Sequence, residues 1–442
     1  MTALSSSLAA FSVRSILRSP SLSPLSTHAS VAASGVVFSS RRHYAAKTAA
    51  ASDDGRTPVS DFYRARTRGA GIGLVGLPNV GKSSLFNALC GRQLAEASNY
   101  PFCTIKPNTA KVSVVDHRLI RLSALAGSSK TVSAQVTFVD IAGLVRGASE
   151  GEGMGNEFLS NIRETSAIVH VVRCFENAQI QHVDGSVNSA RDLDTIDSEL
   201  RLADLQTLDA FIEKAEARLK RTTDPTEIKL GLSAADRFRD LLHSNLQRLA
   251  AVQALRLTAD EWQQLRLLNL LTIKPQLIVC NVGENELRTA EAENPHVRAV
   301  RAVQQEQGGQ EPVVLCASLE ADLVDVEDPE ERQELMSEYG IAESGLEAIA
   351  GRCRQLLGLH SFYTVGDSES ETKMWTIPAG FTAAQAAGTI HSDFETKFIH
   401  ANCVSIDEIL SSGVIPAKDK WRREGRNYVC QDGDCFRFQV RK

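Results

Sequence analysis

The chain has 442 residues, a formal net charge of −6 and an apolar share of 43%. Its length predicts two or three domains, and its charge argues against a general polyanion binder while allowing a local basic face. No apolar run approaches the roughly 20 residues needed to span a bilayer, so we expect no membrane association. The nine cysteines contain no Cys-x-x-Cys pair and predict reduced thiols rather than disulfides or a zinc site.

The first 52 residues have the composition of an organellar transit peptide. They contain no acidic residue, many serines and alanines, and several arginines. Arg42-His43-Tyr44-Ala45 resembles a mitochondrial presequence cleavage pattern, whereas the serine-rich start would equally suit a chloroplast. We therefore predict a mitochondrial matrix protein, with the chloroplast stroma and a merely disordered tail as alternatives.

A phosphate-binding pattern follows the first apolar run. Residues 72–75 lead into Gly76-x-x-x-x-Gly81-Lys82-Ser83, and then apolar residues recur at helical spacing. In such a loop, backbone N–H groups converge on an anion at the positive end of a helix, and the glycines permit the close approach. Lys82 is predicted to reach the β- and γ-phosphates, and Ser83 to place its hydroxyl on Mg²⁺. The pattern predicts binding of a nucleoside triphosphate.

A second strand ends in a pattern typical of nucleotide switches. The run Gln135 to Asp140 is followed by Ile141-Ala142-Gly143. The Asp140 carboxylate is predicted to reach the Mg²⁺ shell, and the Gly143 N–H to reach the γ-phosphate. Residues 144–156 are dense in glycine, which suits a segment that orders around a γ-phosphate and relaxes after hydrolysis.

The residue that orients the attacking water in Ras-like switches is a glutamine, and here it is Leu144. Leucine can neither donate nor accept a hydrogen bond, so we expect slow hydrolysis unless another group positions the water. The candidates are His182 and a monovalent cation, K⁺, held by Asn79. A purely structural role is the alternative for His182.

The base-reading motif also departs from Ras-like switches, where it is Asn-Lys-x-Asp. This chain has Asn281-Val282-Gly283-Glu284. Losing a bidentate carboxylate acceptor removes on the order of 1.5 to 3 kcal/mol per charged hydrogen bond, enough to erase a preference for guanine. The sequence therefore favours ATP at least as strongly as GTP.

Helical periodicity covers residues 194–269. Two apolar stripes, separated near Asp224 and Pro225, predict a helical hairpin, the second stripe running to Leu249. Thr258 and Glu261 form a capping box for a third helix. Strand-like residues 276–281 and 313–318 then resume the parallel sheet, so the hairpin is an insertion. The stripes predict core between helices, with a partner-binding groove as the alternative. The last eighty residues alternate in short strands around one helix and predict a small α+β module.

Together these motifs resemble the Obg-like ATPase (YchF) family of translation-factor-class P-loop NTPases. The resemblance runs from about Gly71 to the C-terminus and rests on six segments, residues 76–83, 99–105, 140–155, 173–177, 281–284 and 385–394. It implies an α/β P-loop G domain with a mainly parallel sheet at 70–194 and 270–359. It also implies an inserted α-helical domain at 195–269 and a C-terminal TGS domain with a β-grasp fold at 360–442. The segment from Asp367 to Met374, just before Trp375, is longer than the corresponding segment in the family.

The resemblance also implies site residues and partners. It places Mg²⁺ at Ser83, Thr104 and Asp140. It places the base at Asn281, Val282 and Ser318. His182 matches a family histidine proposed to assist hydrolysis. The phosphate contacts it implies come from Asn79, Val80, Gly81, Lys82, Ser83 and Ser84. It further implies a preference for ATP over GTP and association with ribosomes, ribosomal subunits or rRNA.

The leading hypothesis is a slow, Mg²⁺-dependent, ATP-hydrolysing switch that acts as a monomer on an organellar ribosome and not on DNA. The alternatives are a GTPase in organellar ribosome assembly and a nucleotide-gated RNA- or ribosome-binding module whose turnover is incidental. Residues 418–426 combine basic and aromatic side chains that could hold RNA, and a solvated surface of mixed charge is the alternative there.

Overall fold

The computed structural model describes residues 57–58, 71–97, 108–141, 154–244, 246–288, 294–366 and 371–441. The predicted transit peptide, Thr104, Gly143 and Leu144 lie outside the described residues, as does most of the glycine-dense segment that follows Leu144.

The strands of the described ranges are two to eight residues long. In chain order they are β1 (Thr57–Pro58), β2 (Ile72–Val75), β3 (Thr109–Ser113), β4 (Lys130–Val132), β5 (Gln135–Asp140), β6 (Ala167–Arg173), β7 (Arg256–Leu257), β8 (Gln276–Asn281), β9 (Val313–Leu315), β10 (Leu359–Val365), β11 (Glu371–Pro378), β12 (Phe398–Ser405), β13 (Arg422–Glu424) and β14 (Asp434–Val440).

Helices separate many of the strands, and in places several helices follow one another directly. They are α1 (Lys82–Ala97), α2 (His117–Ala126), α3 (Met154–Arg163), α4 (Ser189–Leu219), α5 (Thr226–His243), α6 (Arg248–Ala254), α7 (Ala259–Leu265), α8 (Pro295–Glu306), α9 (Ala317–Asp325), α10 (Pro329–Glu338), α11 (Gly345–Leu356), α12 (Ala383–Ile390), α13 (Ser392–Thr396) and α14 (Ile406–Ser412), with 3₁₀ turns at Arg266–Leu268, Glu284–Glu286 and Lys418–Lys420. None of the helices in the described ranges is both long and apolar enough to cross a membrane.

A six-stranded sheet, here called the central sheet, has the order β3-β5-β2-β6-β8-β9. All neighbouring pairs are parallel except β3 with β5, as the mainly parallel fold class predicts. Strand β6 is buried along its whole length because helices cover both faces of the sheet. Since parallel strands end at the same edge, the residues after β2, β5, β6, β8 and β9 meet there.

The helical region between β6 and β8 differs in detail from the sequence-based expectation. Helix α4 begins at Ser189, six residues before the predicted domain boundary, because the Asn188 side chain caps it by accepting from Arg191 N. Helix α5 ends at His243 instead of continuing to Leu249, and a separate helix α6 follows. The break coincides with the Arg201 guanidinium, which donates to three carbonyls of residues 242–246. The capping box of Thr258 and Glu261 is present as predicted.

A second six-stranded sheet, here called the C-terminal sheet, has the order β13-β12-β14-β10-β11-β4. Its edge strand β4 comes from residues 130–132, which the sequence analysis assigned to the P-loop domain. These residues pair in parallel with Glu371, Thr372 and Lys373 of β11. The C-terminal residues therefore do not form a sheet of their own, because a strand from the preceding domain completes it.

Candidate nucleotide site

The phosphate loop, residues 76–83, joins β2 to α1 at the carboxyl edge of the central sheet. Asn79 and Gly81 have φ angles of 62° and 94°, in the left-handed region. A Cβ on Gly81 would lie 2.1 Å from Asn281 Nδ2, so both the backbone conformation and the space require glycine. Helix α1 starts at Lys82, and its first N–H groups face the loop where an anion is stabilised.

Lys82 and Asp140 meet beside this loop. Strands β2 and β5 are neighbours, and their pairing sets Leu74 opposite Asp140. The Lys82 ammonium lies 2.5 Å from Asp140 Oδ1, with Lys82 almost fully buried. Ser83, the next residue of the loop, is exposed to the same space. The predicted phosphate ligand and two predicted Mg²⁺ ligands are thus brought together.

Asn281 connects the phosphate loop to the base motif. Its buried amide donates from Nδ2 to the Val80 carbonyl at 2.9 Å, and its Oδ1 accepts from Ala317 N at 2.9 Å. The side chain therefore acts as a clamp between β8, the phosphate loop and the start of α9. Removing it would leave buried polar groups unpaired.

The other base-motif residues lie next to this clamp. Val282 is buried and its N–H donates to the Leu315 carbonyl. The Ser318 hydroxyl donates to Glu284 Oε1 at 2.9 Å. The acidic group at the position that reads guanine in Ras-like switches is thus already hydrogen-bonded to a neighbouring side chain.

One cavity of about 1010 Å³ connects these groups. Its wall includes most of the predicted contact residues, Asn79, Gly81, Lys82, Ser83, Ser84, Asn281, Val282 and Ser318. Val80 lies behind the wall, buried, and contributes its carbonyl to Asn281. A cavity of this size and polarity suits a nucleotide.

The loop after β6 forms a further part of the wall, and its role was not predicted from the sequence. Phe175, Glu176, Asn177 and Ile180 all line the cavity. The sequence signal that could have indicated this role was the unusual run Arg173 to Asn177 at the end of a buried strand. Strand order alone could have placed this run beside Asn281, since β6 and β8 are neighbours.

His182 is buried and is not among the residues that line the cavity. Its Nε2 is 2.9 Å from Asp192 Oδ2, and its Nδ1 accepts from Asp184 N at 3.1 Å. The backbone bond requires an unprotonated Nδ1, so Nε2 carries the proton that Asp192 accepts. Burial raises the pKa of Asp192, and the bonds from His182 and Arg191 oppose that rise. In this arrangement both ring nitrogens are engaged, and a hydrolytic role for His182 stays a prediction.

Asn79 lies at the rim of the cavity. Its Nδ2 donates to the Gln181 carbonyl at 3.0 Å, so the phosphate loop is tied to the residue before His182. The amide oxygen of Asn79 remains the atom with which this side chain could ligate a cation.

A strand, a glycine-bearing phosphate loop, a lysine at a helix start and an aspartate on the adjacent strand define a P-loop nucleoside triphosphatase. Comparison with known proteins agrees. A family model described as a 50S ribosome-binding GTPase matches residues 71–205. The C-terminal YchF GTPase model, described as a protein of unknown function, matches residues 359–441.

Similarity to whole proteins is more specific. The chain is 43% identical over 369 residues to the ribosome-binding ATPase YchF of Escherichia coli O157:H7, covering 83% of this chain and 98% of that protein. It is 41% identical over 373 residues to the Bacillus subtilis protein of the same name, covering 83% and 99%. The structure of the Schizosaccharomyces pombe YchF GTPase superposes with a TM-score of 0.74 at 31% identity, covering 85% of this chain and 99% of that one. The chain belongs to the YchF family.

Proposed function

We propose that this protein is a Mg²⁺-dependent nucleoside triphosphatase that prefers ATP to GTP, turns over slowly and associates with organellar ribosomes or ribosomal subunits. The observation that carries the nucleotide preference is the hydrogen bond between Ser318 and Glu284. A guanine-reading carboxylate needs both oxygens for the two guanine N–H groups. Here one oxygen already accepts from Ser318, which reduces any gain from guanine.

The neighbouring position supports the same preference. Val282 stands where Ras-like switches have lysine, and it is buried with an apolar side chain. At this motif a base would therefore contact backbone groups and an apolar side chain, and not the lysine and aspartate of Ras-like switches. Such a wall accepts adenine without leaving a guanine-specific acceptor unpaired.

Three residues would serve the phosphates and the metal. Ser83 and Asp140 offer the hard oxygen ligands that Mg²⁺ prefers, and they lie beside the phosphate loop, so the residues present fit this ion. Bound Mg²⁺ would neutralise charge that develops on the phosphate oxygens. A triphosphate would offer Lys82 a competing anion, so binding would exchange the Lys82–Asp140 pair for phosphate on the lysine and metal on the carboxylate.

Slow hydrolysis follows from Leu144, which offers no group to orient water. Support for the reaction would come from K⁺ at the Asn79 amide oxygen or from His182 after a rearrangement that frees its ring. The relatives named above are called ribosome-binding ATPases, which supports a ribosomal partner. The acid-free first 52 residues support an organellar location, with the mitochondrial matrix favoured over the chloroplast stroma.

A GTPase is the second candidate. The solved relative is called a GTPase, and the family model for residues 71–205 carries the same word. Asn281 is retained, and Glu284 supplies an acid at the end of the motif. A nucleotide-gated binding module with incidental turnover is the third candidate, supported by Leu144.

Competition for labelled ATP separates the first two candidates. We expect unlabelled ATP to displace labelled ATP from the full chain better than GTP does, because Glu284 is engaged with Ser318. The Lys82→Ala variant, which removes the phosphate contact, is the control for binding of the label outside this site. GTP displacing the label about tenfold better than ATP, a difference of about 1.4 kcal/mol, would overturn the preference.

Cosedimentation with purified organellar ribosomes tests the partner. We expect the full chain to sediment with ribosomes in the presence of a non-hydrolysable ATP analogue and the Lys82→Ala variant to remain in the supernatant. His182→Ala protein that binds ribosomes normally and is released normally despite lacking hydrolysis would support the binding-module alternative. Wild-type protein that never sediments with ribosomes would remove the ribosomal part of the proposal.

A further inference from the structure

Arg173 is a buried arginine at the end of β6, only 1% exposed. Its Nε donates to the Phe175 carbonyl at 3.2 Å, its Nη1 to the Ile180 carbonyl at 3.0 Å and its Nη2 to the Asn177 carbonyl at 3.2 Å. Its guanidinium carbon also lies 4.6 Å from the centre of the Phe175 ring. All three guanidinium nitrogens thus donate to a single loop, residues 174–181, here called the base-side loop.

The base-side loop supplies a wall of the nucleotide cavity. Phe175, Glu176, Asn177 and Ile180 line that cavity together with residues 281–286. Phe175 also lies close to Gly283: a Cβ atom added to Gly283 would be 3.9 Å from the Phe175 Cβ. The conformation of this loop therefore determines the shape of the cavity on the nucleoside side.

Both ends of the loop are fixed by other contacts. At its start, Cys174 N donates to the Asn281 carbonyl at 2.8 Å, and the buried Asn294 amide donates to the Cys174 carbonyl at 2.8 Å. At its end, the Gln181 carbonyl accepts from Asn79 of the phosphate loop. Between these ends, the middle of the loop is exposed and contains a turn in which Asn177 Oδ1 accepts from Gln179 N.

We propose that Arg173 is a positioning residue for the nucleoside half of the substrate: it holds the base-side loop in the shape that receives the base and acts on the phosphates only weakly. The proposal rests on the proposed function only in that a nucleoside triphosphate binds in this cavity. It does not depend on whether that nucleotide is ATP or GTP.

Lysine cannot replace the arginine at this position. An ammonium is a compact point charge with no planar fork, so it cannot reach three carbonyls and an aromatic face at the same time. Arg173→Lys keeps the positive charge and removes the geometry. It is therefore the informative substitution.

The test compares three ligands on the full chain with Mg²⁺ present: ATP, GTP and inorganic tripolyphosphate. Tripolyphosphate has no base, and we expect it to bind only at the phosphate loop. For Arg173→Lys we expect Kd for ATP to rise about tenfold, the ATP-to-GTP ratio to move toward one, and Kd for tripolyphosphate to stay within about twofold.

Arg201→Lys is the matched control. Arg201 also donates to three backbone carbonyls of one segment, those of Leu242, Ser244 and Leu246 at the end of α5, and this segment is outside the nucleotide cavity. We expect its three Kd values to equal those of the wild type. Equal losses for ATP and tripolyphosphate in Arg173→Lys, or no loss for either, would overturn the positioning role.

Ala178→Gly covers the case in which Arg173→Lys does not fold. Ala178 is exposed in the base-side loop and does not line the cavity, and glycine there loosens the backbone without changing a residue of the cavity wall. We expect about threefold weaker ATP binding and unchanged tripolyphosphate binding. An unchanged Kd for ATP would show that the loop's order does not matter. Wild-type protein that prefers GTP would refute the ATP preference while leaving these comparisons intact.

Discussion

The C-terminal sheet and the helical insertion are attached to the central sheet in different ways. The C-terminal sheet includes β4 from the middle of the P-loop domain, and one apolar core runs through both regions. That core contains Phe138 and Leu119 from the first region, and Tyr363, Val404 and Ile406 from the second. The two regions are joined by one strand, β4, and by a common core of buried side chains.

The helical insertion instead has a core of its own beyond its junction. That core contains Leu208, Ile212, Phe238, Leu255 and Trp262. At the junction, Ile196, Leu200 and Ala203 of α4 belong to the main core. Leu193 of α4 also packs with Val172 and Ile278 of the central sheet. Polar contacts add to this attachment: Asp204 accepts from Leu271 N and Thr272 N, and Arg248 donates to the Lys274 carbonyl.

If the protein is the switch proposed above, the difference predicts which part of it moves. A shared core resists displacement because every shift exposes apolar surface, whereas a hairpin with a separate core can turn about its junction at less cost. We expect the C-terminal sheet to move as one body with the central sheet. The helical insertion is the region that can change its angle.

The largest expected effect is at the polar junction. Asp204 is fully buried, and its two oxygens accept from Leu271 N at 2.8 Å, Thr272 N at 2.7 Å and Thr272 Oγ1 at 2.6 Å. Asp204→Ala leaves buried donors unpaired and should lower the free energy of unfolding by about 3 kcal/mol, measured by urea denaturation. Asp209→Ala, at an exposed acid on the same helix, is the control and should change it by less than about 0.5 kcal/mol. Similar losses in both variants would contradict a junction fixed by Asp204.

A smaller effect is expected where the C-terminal sheet meets α2. The Tyr363 hydroxyl donates to Asp116 Oδ2 at 2.6 Å, and Arg118 pairs with Asp116 at 3.0 Å and with Asp432 at 3.2 Å. Burial alone would raise the pKa of Asp116, but the bonds from Arg118 and Tyr363 outweigh it and hold that pKa below its usual value. Asp116→Asn should lower the free energy of unfolding at pH 7 by about 2 kcal/mol.

The pH dependence of that loss follows from the lowered pKa. The stabilisation by the carboxylate is complete above its unfolded pKa of about 3.9 and is lost as pH falls through the lower folded pKa. The difference between wild type and Asp116→Asn should therefore be constant from about pH 5 to 7 and shrink below about pH 4. A difference that grows as the pH is lowered would contradict this assignment.

The smallest effect concerns the added strand. The Ser128 and Thr372 hydroxyls are 2.6 Å apart beside the pairing of β4 with β11. Ser128→Ala should lower the free energy of unfolding by about 1 kcal/mol and speed amide hydrogen exchange in residues 130–132 and 371–373. Ser411→Ala, which removes a hydroxyl that bonds within its own helix, should leave exchange in these strands unchanged. Faster exchange in both variants would show that the strands do not depend on this contact.

Local patterns predicted much of the fold and the site. Residues 72–75, 135–140 and 276–281 are strands with the predicted limits, and the capping box at Thr258 is present. The phosphate loop, Lys82 and Asp140 meet because the order of apolar strands determines which strand ends are neighbours. These features depend on short spacing and on the parallel topology, both of which can be recognised in the sequence.

Long-range contacts explain what was missed. Residues 130–132 are too few to show a strand period, and their pairing with β11 depends on a partner far along the chain. Arg201 binds the backbone carbonyls where α5 ends, although the apolar stripe continues past this point. The engagement of His182 with Asp192 depends on how a loop folds back onto the start of α4.

The sequence by itself determined the chemical class of this protein, because a phosphate loop and its partner aspartate are defined by spacing and residue type. It also indicated a weakened guanine motif, since Val282 and Glu284 differ in chemistry from lysine and aspartate. The tertiary structure alone decided that Glu284 bonds Ser318, that Arg173 holds a wall of the cavity, and that β4 joins the C-terminal sheet. Each of these is a contact between residues brought together by packing, where burial and geometry select one partner among many of the same chemical type.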